Sequence, residues 1–239
     1  MERLIRDRHL GETVVLIANG PSLNKTDFDL VRGQITIGLN KIFLGFSKFI
    51  FYPTYYVAVN EKVLRQSARQ IHDLKCVKFL SNRANDLFSE NALTYILNTT
   101  HPPSRFSESL SQGIEEGWTV TYAALQIAYY MGFQRVILVG LDHRFEFEGM
   151  PNESNLLKGR DLNHFSPEYF ANQEWDNPDL VNSEESFRIA REKFEADGRI
   201  IFDATVDGAC EIFEKQSLAD CFRISQCETS ENYSSPLSL

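Results

Sequence analysis

The sequence predicts an α/β fold, a mostly parallel sheet with helices on both faces and a lid-like insertion. Three observations lead there. Short apolar, β-branched runs recur along the chain, and each closes on a polar residue. These runs alternate with segments whose apolar spacing suits helices. One long aromatic, Asn-rich stretch, residues 143–182, fits neither pattern. Unbroken apolar strands suit burial on both faces, and strand–helix alternation is the pattern of a parallel sheet.

The elements follow in order. Residues 13–18 (TVVLIA) form a first buried strand that ends in Asn19-Gly20-Pro21. Thr26 with Asp29 three residues on reads as a capping box for a short helix. Residues 34–39 and 55–59 read as the second and third strands, ending at Asn40 and Asn60, and a polar helix follows over about 61–73. Residues 76–80 and 93–97 are further strand candidates. Residues 119–131 form the clearest helix, with Val120, Ala124, Ile127 and Met131 on one stripe and Gly132 in the place of a C′ glycine. The strand over 135–141 (RVILVGL) ends at Asp142. A segment as long as 143–182 without regular structure is expected to be a lid or a small inserted unit. A last helix spans 184–196, with Asn182 as its cap and Gly198 as its stop, and a strand over 199–202 follows. Residues 1–224 are thus expected to form one domain, and the polar, Ser-rich residues 225–239 a disordered tail.

The chain of 239 residues is long enough for one full core. Its formal charge of −9 argues against a nucleic-acid surface, which needs a basic footprint. A phosphorylated small ligand stays open, because it responds to local dipoles. The four cysteines, Cys76, Cys210, Cys221 and Cys227, show no CxxC spacing and read as reduced structural thiols. The N-terminus is charged, and no apolar run is long enough to span a bilayer. A cytoplasmic location is expected.

In parallel sheets ligands bind beyond the carboxyl ends of the strands. That rule points to Asn19, Gly20, Pro21 and Ser22, to Asn40 and Asn60, and to Asp142. Gly20 lets a backbone approach a ligand closely, Pro21 stiffens the turn, and Ser22 offers a hydroxyl and an N–H; the same residues also suit an ordinary tight turn. An Asn amide both donates and accepts, which suits a ribose hydroxyl or a base edge. Thr119 and Thr121 begin the strongest helix, whose free N–H groups attract anions, although an ordinary Thr cap gives the same letters. Asp142, His143 and Arg144 together could serve a metal, a ribose or a phosphate, or form a salt-bridged loop. His164 could serve as a general base for a hydroxyl, as an imidazole suits that task, or is a structural histidine of an aromatic loop. No HxxxH motif appears and no metal site is assigned, and His9, His72 and His101 lack supporting context.

Taken together, NGPSL after the first strand, the Asn closing the second, TVTYAALQIAYYMGFQRVILVGLD and the later NHF resemble the DUF115 group, which is related to the archaeal 6-hydroxymethylpterin pyrophosphokinases. The same order of motifs is similar to the bacterial family 42 sialyltransferases, over roughly residues 12–215. That likeness implies a Rossmann-like fold and metal-free use of a CMP-type nucleotide-sugar. Asn19, Gly20 and Ser22 would hold its phosphate or ribose, Asn40 and Asn60 its sugar, ribose or base, and Thr119 would face the donor. His164 lies near that family's catalytic histidine; Pro167 stands where the motif has a second histidine, and Gly117 where the family has an arginine. The function expected from this is a nucleotide-sugar-dependent glycosyltransferase of surface-glycan biosynthesis, with a glycan acceptor and no cofactor. The alternatives are an ATP- and Mg2+-dependent pterin-type diphosphokinase using Asp142, and a non-catalytic nucleotide-binding protein. Phe165, Tyr169, Phe170 and Trp175 are expected to be exposed, as a lid over a sugar or as the interface of a homo-oligomer.

Overall fold

A computed structural model describes residues 4–100 and 105–223. The strands are β1 (Thr13–Ile17), β2 (Thr36–Leu39), β3 (Tyr55–Ala58), β4 (Val77–Ser81), β5 (Thr94–Leu97), β6 (Thr99–Thr100), β7 (Ile114–Glu115), β8 (Arg135–Val139), β9 (Ser154–Leu156), β10 (Glu174–Asp176), β11 (Ile200–Asp203) and β12 (Glu214–Lys215). The helices are α1 (Phe28–Val31), α2 (Phe46–Phe49), α3 (Glu61–Gln66), α4 (Ala68–Asp73), α5 (Val120–Tyr130) and α6 (Leu180–Ala196).

Eight strands make the main sheet in the order β12-β11-β8-β1-β2-β3-β4-β5, and every neighbouring pair is parallel. From β1 the chain builds outward through β2 to β5, then returns along α5 to place β8 on the other side of β1. The order therefore reverses between β1 and β8, and a crevice opens there beyond their carboxyl ends.

Strand alternation sorts the core into two layers. On β1, Val14 and Leu16 face the cluster that holds α5 and α6, while Val15 and Ile17 face the cluster that holds α1 to α4. All four are fully buried, which removes about 1.5–3 kcal/mol of side-chain exposure cost each. The α5 helix is buried all round from Thr121 to Tyr130, not along the single expected stripe. Gln126, inside this apolar layer, is fully hydrogen-bonded: its Oε1 accepts from Ser107 N–H (3.1 Å) and Glu115 N–H (3.2 Å), and its Nε2 donates to Glu115 O (2.8 Å) and Tyr122 O (3.1 Å). These bonds fix the N-terminal half of α5 at the edge of the crevice. Gly132 ends the helix with φ of +87°, the conformation a C′ glycine supplies.

Several local expectations are corrected. The predicted helix over 61–73 is broken into α3 and α4 at Ser67, whose φ of −121° and ψ of 20° leave the helical region. Asp27, not Thr26, caps α1, accepting from Asp29 N–H, while Thr26 Oγ1 donates to Ser22 O. Asp179, not Asn182, caps α6, four residues earlier than the predicted start at 184. β12 carries no apolar run and was not anticipated. The stretch over 143–182 contains the antiparallel ribbon β9–β10. Phe165, Tyr169, Phe170 and Trp175 are buried in the second core cluster, so the exposed aromatic face expected there is absent. The described cysteines, Cys76, Cys210 and Cys221, are free and buried; Cys227 and the tail over 225–239 lie outside the described residues. No helix among the described residues is long and apolar enough to cross a membrane.

Candidate functional site

The crevice beyond β1, β2, β3 and β8 is a cleft of about 700 Å³. Asn19, Gly20, Asn40 and Asn60 border it from the strand ends, Thr119 and Thr121 from the start of α5, and Asp142, His143 and His164 from the far wall. Pro21, Ser22 and Arg144 do not border it.

The turn after β1 is held by its own neighbours. Asp142 accepts from both Ser22 N–H (3.0 Å) and Ser22 Oγ (2.5 Å), across 120 residues of sequence. Both donors of Ser22 are thus spent on a carboxylate, and the same bonds occupy Asp142. Gly20 makes this possible: a Cβ there would lie 1.9 Å from Asp142 Oδ2. Its φ of −69° is open to any residue, so close approach is the whole reason for glycine. The approaching group is Asp142, where the sequence suggested a ligand. Asn19 Nδ2 donates to Leu39 O (3.1 Å), tying the end of β1 to the end of β2, and Asn19 O accepts from Phe165 N–H (2.9 Å).

Two predicted residues act as helix caps. Asn60 Oδ1 accepts from Val63 N–H (3.1 Å) at the start of α3, and Thr119 Oγ1 accepts from Thr121 N–H (3.3 Å) at the start of α5. Asn40 adopts φ of +45°, and its Oδ1 is buried without a hydrogen-bond partner. His143 has φ of +53° and pairs through Nε2 with Glu184 (3.2 Å). Arg144 is exposed.

His164 is better placed than the sequence alone suggested. Its Nδ1 meets Asp161 Oδ2 at 2.8 Å, and its ring stacks on Tyr169 with centroids 3.9 Å apart and planes within 2°. Nε2 makes no hydrogen bond among the described residues, and the ring borders the cleft. Asp161 was missed by the sequence reading. Its side chain is fully buried; its Oδ1 accepts from Asn163 N–H (2.8 Å) and its Oδ2 from Phe170 N–H (3.1 Å). Burial alone would raise the carboxyl's pKa, but the hydrogen bond and charge of His164 and these two backbone donors outweigh it, holding it below the ordinary value. The only sequence signal was the i, i+3 spacing of an acid and a histidine in an irregular segment.

The cations on the cleft wall are matched by acids. Lys62 pairs with Asp176, Arg65 with Glu61 (2.7 Å) and Asp86 (2.9 Å), and Arg83 with Glu116 (2.8 Å). Among the described residues, no three His, Cys, Asp or Glu side chains gather as a metal site. Aromatic rings supply much of the remaining lining, Trp118, Phe145, Tyr169 and Trp175 among them. The cleft therefore combines ring faces, the positive end of an 11-residue helix and an imidazole oriented by a carboxylate. That combination suits an organic ligand with an anionic group next to a hydroxyl to be deprotonated.

Residues 1–148 match the model of the family described as 6-hydroxymethylpterin diphosphokinase MptE-like. The matched part includes Asn19 to Ser22 and Asp142 and ends before Asp161 and His164. No curated protein matches the chain. A solved structure, the MAf glycosyltransferase from Magnetospirillum magneticum AMB-1, shares the fold with a TM-score of 0.56 at 13% sequence identity. The alignment covers 95% of this chain and 38% of the solved one, so this chain corresponds to well under half of that protein.

Proposed function

The chain belongs to the 6-hydroxymethylpterin diphosphokinase MptE-like family, and from that premise we propose that it is a transferase that moves a group from a nucleotide-activated donor to an acceptor hydroxyl. The Asp161–His164 pair, whose imidazole borders the cleft, carries this reading. With Nδ1–H directed at the carboxylate, Nε2 carries the lone pair of a general base. We take the donor to be a nucleotide-sugar of CMP type and the acceptor a glycan hydroxyl in surface-glycan assembly. The acceptor oxygen bonds to the anomeric carbon as the bond from that carbon to the nucleotide phosphate breaks. The acceptor proton passes to His164 Nε2, and the N-terminus of α5 stabilises the charge left on the departing phosphate. The aromatic lining suits the faces of a base and a sugar, and the glycosyltransferase neighbour supports the fold required.

A second reading follows from the family match: transfer of pyrophosphate from ATP with Mg2+ to a pterin hydroxymethyl group. Asp142 would be its metal ligand, but that carboxylate is engaged by Ser22, which favours the first reading.

Thermal unfolding with CMP, CDP, UDP, GDP, ADP and ATP, each with and without Mg2+, separates the two. Binding to the folded state alone at about 100 times Kd adds roughly 2.7 kcal/mol. Metal-independent stabilisation by CMP or a nucleoside diphosphate is the expected result. Stabilisation by ATP only with Mg2+ would transfer the assignment to the diphosphokinase. Ligand-induced stabilisation without turnover on any acceptor would leave a nucleotide-binding protein.

A further inference from the structure

Lys41 follows Asn40 at the end of β2 and turns inward, only 3% exposed. Its Nζ donates to Tyr169 O (2.8 Å), Gln173 Oε1 (2.7 Å) and Gln66 Oε1 (3.0 Å), which uses all three ammonium hydrogens. The ammonium also lies over the Phe170 ring, 4.3 Å from its centroid. The backbone N–H of Lys41 donates to the phenol oxygen of Tyr169 (3.2 Å). One residue therefore grips Tyr169 at its carbonyl and at its hydroxyl, which fixes the position of the ring between them. That ring is the shelf on which His164 lies.

We infer that Lys41 is a positioning residue for His164: by holding both ends of Tyr169 it anchors the ring against which the imidazole stacks and presents Nε2 to the cleft. This rests on the reading of His164 as the base. An apolar residue of similar volume would fill this part of the core at no charge-burial cost, and such replacements are often neutral or stabilising. A buried ammonium is instead the group that can bind a carbonyl and two amides at once and still carry a charge. Burial lowers its pKa to about 8, and the Asp161 carboxylate partly opposes that shift. Asp161 and Tyr169 are the titratable groups that meet both Lys41 and His164.

The test is the side-chain NMR spectrum of the His164 ring in the full chain, assigned by its loss in His164→Ala. In Lys41→Met the Hε1 resonance is expected to lose the upfield shift caused by stacking on Tyr169. Lys41→Arg, which keeps the charge and donors, should recover part of that shift. On the proposed donor, Lys41→Met should lower kcat with KM unchanged. An unaltered Hε1 shift in Lys41→Met overturns the inference, whatever happens to turnover; a displaced ring with no turnover by the wild-type protein on any donor removes the functional reading alone. Should Lys41→Met not fold, the wild-type protein decides. His164 Hε1 is then expected to change near pH 8 as Lys41 loses its proton, and no change there overturns the inference.

Discussion

Gly20 and Asp142 occupy the same space: any side chain at Gly20 would meet the Asp142 carboxylate at 1.9 Å. The carboxylate closes the turn after β1 through two hydrogen bonds from Ser22, so the first turn of the sheet and the end of its neighbouring strand form one unit. Gly20→Ala should push Asp142 away and strip Ser22 of both hydrogen bonds, at a cost of about 1–3 kcal/mol. Asp142→Ala removes the obstruction. The double variant should therefore be less destabilised than the sum of the single ones, which chemical denaturation of the four proteins measures. Additive losses would show that the two residues do not compete for this space.

Loss of the imidazole in His164→Ala should lower turnover by about 10²–10⁴-fold, the range of a general base. Asp161→Asn presents an amide N–H to Nδ1 and favours the tautomer with its proton on Nε2, which cannot accept one. Its turnover should also fall, with ligand-induced stabilisation retained. Normal rates in Asp161→Asn would sink the dyad.

Lys41 makes a pH-dependent contribution to stability. Its pKa is about 8 in the folded chain against an ordinary 10.5. Between these values the unfolded chain holds the proton more tightly, so stability rises with pH. Below about pH 8 the penalty of the buried charge is present in full. The wild-type protein should therefore gain stability relative to Lys41→Met as pH rises from 8 to 10.5. The difference between the two isolates this gain from the cysteines, whose buried thiols are pushed up and oppose it at high pH. A difference that stays flat across that window contradicts the assignment.

Ile50 closes α2 with φ of 49° and ψ of 51°, a left-handed conformation that a β-branched residue resists. It is 74% exposed, so little burial is at stake. Ile50→Gly should stabilise the protein by about 0.5–1 kcal/mol, as relief of backbone strain exceeds the added chain entropy. Thermal unfolding decides, and a lower melting temperature would contradict it.

Much of the sheet was legible in the sequence. β1, β2, β3 and β8 are apolar runs whose period and flanking residues are properties of a few neighbours, and they appear within two residues of their expected bounds. The same holds for α5 and its closing Gly132. Errors gathered where a local rule had competitors. Thr26 and Asp27 both suit a cap, and the backbone chose Asp27 because the Thr26 hydroxyl is drawn back to Ser22. β12 has two charged residues and forms only because β11 offers it an edge.

By itself the sequence determined the alternation of strands and helices, the turn residues at the strand ends, and His164 as a candidate base. Tertiary structure alone decided what these residues face. Ser22 spends its donors on a carboxylate 120 positions away, Asp161 becomes the partner of His164 inside a segment with no periodicity, and Lys41 is buried beneath Tyr169, 128 residues on. Periodicity reports how a chain bends locally. Which side chains meet depends on the order of strands in the sheet, and that order is fixed by the packing of whole layers, each burying the apolar face of the next.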